Sequence, residues 1–111
     1  MQRDRAYIQD ILDAARLAMS YLDGLSEEDF AHDTQIQDAV IRRIEIIGEA
    51  ARRVSPQVQR ANLQIPWSEM IGMRNLMIHD YDDVDVHVVW NTVQQDLPQL
   101  IVELAPLLTP E

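Results

Sequence analysis

The sequence predicts an all-α domain: one antiparallel bundle of four to five helices formed by residues 1–111. Three observations predict it. Apolar residues recur at spacings of three and four along most of the chain, the period of a helix with one buried face. Capping and stop residues fall between those stretches and leave short connections, so neighbouring helices run antiparallel. A chain of 111 residues holds one core and has no room for a second.

The elements follow in order. Tyr7, Ile8, Ile11, Leu12, Ala15, Met19 and Leu22 mark one face, which predicts an amphipathic helix over residues 4–23. Gly24 stands where a helix stop is expected. Ser26 before Glu27, Glu28 and Asp29 resembles a capping box ahead of a short helical turn. Asp33 or Thr34 caps the second long helix, whose buried stripe is Ile36, Val40, Ile44, Ile47, Ala51 and Val54. Ser55-Pro56 is an N-cap followed by proline at the first helical position, so a short helix is expected near 56–61.

Pro66 opens the next helix, with Trp67, Met70, Ile71, Arg74 and Ile78 within one face. Residues 79–85 break the pattern and read as a loop, and Asp85 caps the last helix. That helix has the seam Val89, Val93, Leu97, Leu100, Leu104 and Leu107. Pro98 should kink it, because proline lacks an N–H and clashes with the preceding turn. Val84, Val86 and Val88 alternate as a strand would, but no partner strand is visible. Gly48 and Gly72 lie inside helical patterns, where each costs about 1 kcal/mol relative to alanine. Close approach by another helix, of the same chain or of a second copy, would compensate. The expected arrangement places Gly48, Gly72 and the cluster Met70, Met73 and Met77 between subunits; core filling is the other reading of the methionines.

Composition narrows the function classes. Hydrophobic residues make up 47% and charged residues 25%, as in an ordinary folded domain. The absence of cysteine excludes disulfides, a thiolate nucleophile and cysteine zinc sites. No apolar run exceeds three residues, so no membrane span is expected. Met1-Gln2-Arg3-Asp4-Arg5 has no signal-peptide core, and a cytoplasmic location is the expectation. The net charge is −10 with no lysine. Residues 1–74 hold all nine arginines and twelve acids; residues 75–111 hold seven acids and no arginine. Such a chain attracts phosphate poorly as a whole. A nucleic-acid role therefore needs a local arginine patch, or a partner, and a basic partner protein fits the same asymmetry.

Met73-Arg74-Asn75-Leu76-Met77-Ile78-His79-Asp80-Tyr81 gathers the unusual residues. Histidine can act as acid or base near neutrality. Arginine can hold a phosphate by two parallel hydrogen bonds. Asn75 adds a hydrogen-bonding group. Together they suit phosphodiester cleavage with no metal and no cofactor. On an ideal helix Arg74 and His79 lie about 140° apart. They converge if the helix ends near His79, or if a second subunit brings its own pair across.

Each residue also has a plainer reading. Arg74 can pair with Glu69 or Asp80, His79 can face a helix C-terminus, and Tyr81 can simply pack. Arg42, Glu45, Glu49 and Arg53 read as a surface ion-pair ladder. The functional alternative there is an RNA-backbone contact from Arg42, Arg43, Arg52 or Arg53. The acids from Asp80 to Asp85 lack the glycine and glutamate of a calcium loop. His32 and His87 have no evident partner in sequence.

Arginine, four residues, histidine, one residue, tyrosine resembles the motif of HEPN-domain ribonuclease toxins of the HepT type. Residues 38–50 are similar to that family's second helix. Ile65-Pro66-Trp67, Gly72-Met73-Arg74-Asn75, Val84-Asp85, Val89-Trp90 and Asp96-Leu97-Pro98 are similar to its C-terminal half. The resemblance covers nearly the whole chain. It implies a homodimeric helical bundle, the toxin component of a type VII toxin–antitoxin system. The two motifs would face each other and form a composite, metal-independent endoribonuclease site acting on RNA, with tRNA among the candidate substrates. By motif position Arg74 and His79 would be the catalytic pair, with Asn75 their polar neighbour. The partner implied is a nucleotidyltransferase antitoxin of the MntA type that silences the enzyme by transferring AMP to Tyr81. Asp80, Asp82 and Asp83 crowd the motif with negative charge. They favour the alternative, a catalytically weak or inactive module that docks the nucleotidyltransferase.

Overall fold

Two long helices, α1 (Gln2–Tyr21) and α3 (Thr34–Arg53), pack side by side and supply most of the core. The structure is a computed structural model that describes residues 2–80 and 83–108, apart from the side chains of Gln2, His79 and Asp80. Ile8, Ile11, Leu12, Ala15, Ala18 and Leu22 of the first stripe are buried. So are Val40, Ile44, Ile47, Ala51 and Val54 of the second. The two helices run antiparallel, because Asp4 at the start of α1 meets Ser55 just beyond the end of α3. Asp4 is itself buried and accepts hydrogen bonds from Ser55 N at 2.8 Å and Ser55 Oγ at 2.9 Å.

The connections use the expected caps. Gly24 takes φ +79°, a conformation that glycine adopts without steric cost. Ser26 and Asp29 form a capping box at α2 (Glu27–Ala31). The Phe30 and Ala31 carbonyls at the end of α2 accept from buried Gln37 Nε2. Asp33 caps α3, and Ser55 caps α4 (Pro56–Ala61) with Pro56 at its first turn. Helix α5 (Trp67–Met77) then lies against α3.

After α5 the chain departs from the expected loop. β1 (Ile78–Asp80) pairs antiparallel with β2 (Asp83–Val84), with Ile78 opposite Val84 and Asp80 opposite Asp83. Asp85 N donates to Met77 O at 2.6 Å, which satisfies a carbonyl at the end of α5. The strand partner missing from the sequence reading is therefore Ile78, which had been placed on the helix. Tyr81 lies outside the described residues.

Asp85 caps α6 (Val86–Asn91), as expected. His87, exposed on α6, meets Glu27 Oε2 at 3.1 Å through Nδ1 and Asn91 through Nε2, which ties α6 to α2. A π turn (Thr92–Asp96) joins α6 to α7 (Leu97–Leu104), and a 3₁₀ turn (Ala105–Leu108) follows. A π turn stands directly ahead of Pro98, where the sequence predicts a kink. This wider turn takes up the missing N–H and the ring. Helix α7 packs on α1, and Arg5 Nη2 donates to Leu108 O at 2.8 Å. Among the described residues no helix is long and apolar enough to cross a membrane.

Candidate functional site

Arg74 stands in the last turn of α5, on a helix held against α3 by an unusually close backbone approach. A Cβ at Gly48 would lie 3.1 Å from Met70 O and 3.3 Å from Ile71 O. Gly48 therefore does what its cost in helix propensity requires, and it does so within one chain. Gly72 differs, because a Cβ there would meet nothing within 4 Å. Among the described residues, open space lies where its side chain would stand. Met70 and Met77 are fully buried in the chain's own core, which corrects the expectation that they lie between subunits. Gly48, buried against α5, is corrected in the same way.

The close approach brings Arg74 to an acid on α3. Arg74 Nε donates to Glu45 Oε2 at 2.6 Å. The plainer reading of the sequence pairs it with an acid such as Glu69 or Asp80, both nearer in sequence. The actual partner is 29 residues away. Arg42, one turn before Glu45, approaches the other carboxylate oxygen at 3.8 Å. Glu45 thus sits between two guanidiniums. Its side chain is 28% exposed and that of Arg74 46% exposed, so this pair faces water and contributes little to stability.

A cleft of about 200 Å³ runs between α3 and α5 at this level, lined by Ile44, Glu45, Gly48, Glu49, Arg52, Ile71, Arg74 and Asn75. Two of the residues singled out from sequence, Arg74 and Asn75, are brought together here, and both are exposed. α5 ends at Met77 and the backbone turns extended at Ile78. The 140° separation expected on an ideal helix therefore does not apply to His79, whose backbone lies in β1. The side chain of His79 and all of Tyr81 are outside the described residues. Beside Asn75, Leu76 is 68% exposed on the same outward surface of α5. Among the described residues no group of three His, Cys, Asp or Glu could hold a metal ion.

Sequence reasoning missed Glu45 as the partner of Arg74. The signal was present: Glu45 lies three residues before Gly48, on the face of α3 that a closely packed helix must meet. Without a pairing of α3 with α5, nothing in the sequence singled it out from the surface ladder.

Comparison with known proteins bears on this geometry. The family described as ribonuclease HepT-like matches residues 11–107. A probable ribonuclease HepT of Thermococcus cleftensis is 44% identical over 94 residues, covering 85% of this chain and 86% of that protein. A protein of Caldanaerobacter subterraneus, named as a candidate RNase, is 32% identical over 111 residues, covering 100% of this chain and 99% of its own. A third, from Methanocaldococcus jannaschii and also named as a candidate RNase, is 34% identical over 100 residues, covering 90% and 92%. No solved structure matches the chain.

Proposed function

Because the chain belongs to the ribonuclease HepT-like family, we propose that it is a metal-independent endoribonuclease that works as a homodimer. The observation that carries this reading is Arg74, held at the mouth of the α3–α5 cleft by Glu45. Glu45 engages Nε alone, so the two terminal amino groups of Arg74 are left for a phosphate. Arg74 binds the scissile phosphate and stabilises the charge that builds on it. Asn75 supplies a further hydrogen bond. His79 takes the proton of the ribose 2′-OH, whose oxygen then attacks phosphorus. The bond from phosphorus to the 5′-oxygen breaks, and the partner subunit's His79 protonates that oxygen. The products are a 2′,3′-cyclic phosphate and a 5′-OH.

Two motifs are needed for this division of labour, and α5 offers a surface for the second copy. Leu76 is 68% exposed on it, and one turn earlier Gly72 has open space, among the described residues, where a Cβ would stand. In this reading the chain is the toxin of a type VII system, and RNA, including tRNA, is its substrate. A nucleotidyltransferase antitoxin silences it: the Tyr81 hydroxyl attacks the α-phosphate of ATP, the tyrosyl–AMP ester forms and pyrophosphate leaves.

The test is RNA cleavage in EDTA by protein shown to be unmodified by intact mass. Parent protein should cleave, and Arg74→Ala and His79→Ala should each lose about a hundredfold or more. Cleavage only with added Mg²⁺ would overturn the mechanism. Incubation with the nucleotidyltransferase and ATP should add one AMP, and Tyr81→Phe should abolish the addition.

One observation favours the second reading, a docking module. Residues 75–111 carry no arginine or lysine. The apolar groove between α5 and α7 is lined by Pro66, Met70, Met73 and Leu100 and rimmed by Glu69, Asp96 and Glu103. A confirmed, unmodified dimer without cleavage would select that reading.

A further inference from the structure

Arg52 opens on the same cleft as Arg74, from the opposite wall. It is exposed, and among the described residues it forms no ion pair or hydrogen bond. Its situation differs from that of Arg42, which leans on Glu45. Glu45 and Arg52 are seven residues apart, two turns and about 10 Å along α3. Arg74, fixed to Glu45, marks one end of that interval, and Arg52 marks the other. Gly48 lies between them and adds no side chain to the cleft. The cleft carries two guanidiniums against the carboxylates of Glu45 and Glu49. In a chain of net charge −10, that balance makes the cleft less repulsive to a phosphate backbone than the chain as a whole.

We propose that this cleft is a two-phosphate subsite: Arg74 takes the phosphate to be cleaved, and Arg52 takes a flanking phosphate of the same RNA strand. The proposal rests on the ribonuclease reading above. Arg52 is a binding residue in it and touches no reacting atom. Its contact is to backbone phosphate, so it contributes affinity and register and does not read base identity. An unpaired guanidinium pays no cost of leaving a carboxylate when the strand arrives, whereas Arg42 does.

The probe is a 2′-O-methylated RNA oligonucleotide, which the 2′-OH mechanism leaves intact. Its binding is followed by anisotropy between about 50 and 200 mM salt. Arg52→Gln should weaken binding about three- to tenfold, equally for two unrelated sequences, and should lower the log–log salt slope by about 0.7. Arg60→Gln removes the same charge from α4, away from this cleft, and should leave the slope at the parent value. On cleavable RNA, Arg52→Gln should raise KM and leave kcat near the parent value. An unchanged slope in Arg52→Gln, or an equal fall in Arg60→Gln, overturns the subsite while the ribonuclease reading stands on parental cleavage. A parent dimer that neither binds nor cleaves RNA removes both.

Discussion

Arg74 and Glu45 join the last turn of α5 to the middle of α3 through one short hydrogen bond, Nε to Oε2 at 2.6 Å. The pair is partly open to solvent, so its worth lies in placement rather than in stability. It holds the guanidinium of Arg74 at the α3–α5 cleft.

Glu45→Ala should therefore separate activity from stability. Loss of an exposed pair should change folding free energy by less than about 1 kcal/mol. Cleavage should fall about ten- to a hundredfold, because a misplaced phosphate ligand loses alignment at the reacting bond. Glu45→Gln keeps an acceptor oxygen and should recover part of the rate. Denaturant midpoints and single-turnover kinetics on the same samples check this. Cleavage at the parental rate by Glu45→Ala would show that Arg74 finds its place unaided.

Gly48→Ala tests the approach that creates the cleft. Alanine gains about 1 kcal/mol of helix propensity over glycine. The new Cβ, however, would lie 3.1 Å and 3.3 Å from two backbone carbonyl oxygens of α5. Backbone within a helix yields little, and overpacking typically costs about 1–3 kcal/mol. We expect net destabilisation of about 1 kcal/mol with a fall in RNA affinity, since α5 must move outward. Gly72→Ala has no such neighbour among the described residues. A stabilised Gly48→Ala protein would mean that α5 shifts freely.

The helices, their caps and the order of buried stripes were legible because each rests on residues close in sequence. Ser26 with Asp29, Asp33 with Ile36, and Ser55 with Pro56 are local signals, and the structure uses all of them. What escaped were relationships between distant residues. Ile78 continues the apolar spacing of α5, yet its backbone pairs with Val84. Pro98 signals a kink, but not the π turn that stands ahead of it within a buried apolar seam. The methionines at 70 and 77 are expected between subunits, and only the packing of α5 on α3 places them in the core. The motif at 74–81 was legible as a string, and Arg74 with Asn75 as one patch. Its carboxylate partner was not, because a surface ladder on α3 looks the same with or without a helix against it.

Leu76→Glu probes the outward face of α5. A leucine 68% exposed beside Gly72 contributes nothing to the monomer core. Folding stability of the separated chain should be within about 0.5 kcal/mol of the parent. In the proposed dimer the same leucine is covered, and two glutamates would meet across the symmetry axis. Light scattering should then show the variant as a monomer at concentrations where the parent is a dimer, and cleavage should be lost with it. A Leu76→Glu protein that stays dimeric would move the interface off this face.

Asp4 provides a prediction about the fold alone. Its buried carboxylate accepts from both Ser55 N and Ser55 Oγ, and the same hydroxyl accepts from Val58 N at 3.3 Å at the start of α4. The first turn of α1 thus anchors the corner between α3 and α4. Asp4→Ala leaves the backbone N–H of Ser55 without its acceptor at a part-buried position, a loss of about 1–3 kcal/mol. Asp10→Ala, on the exposed side of α1, should cost little. Urea unfolding of the two variants should differ by that margin. Equal stabilities would mean that water replaces the carboxylate and that the corner holds by apolar packing of Val54 and its neighbours.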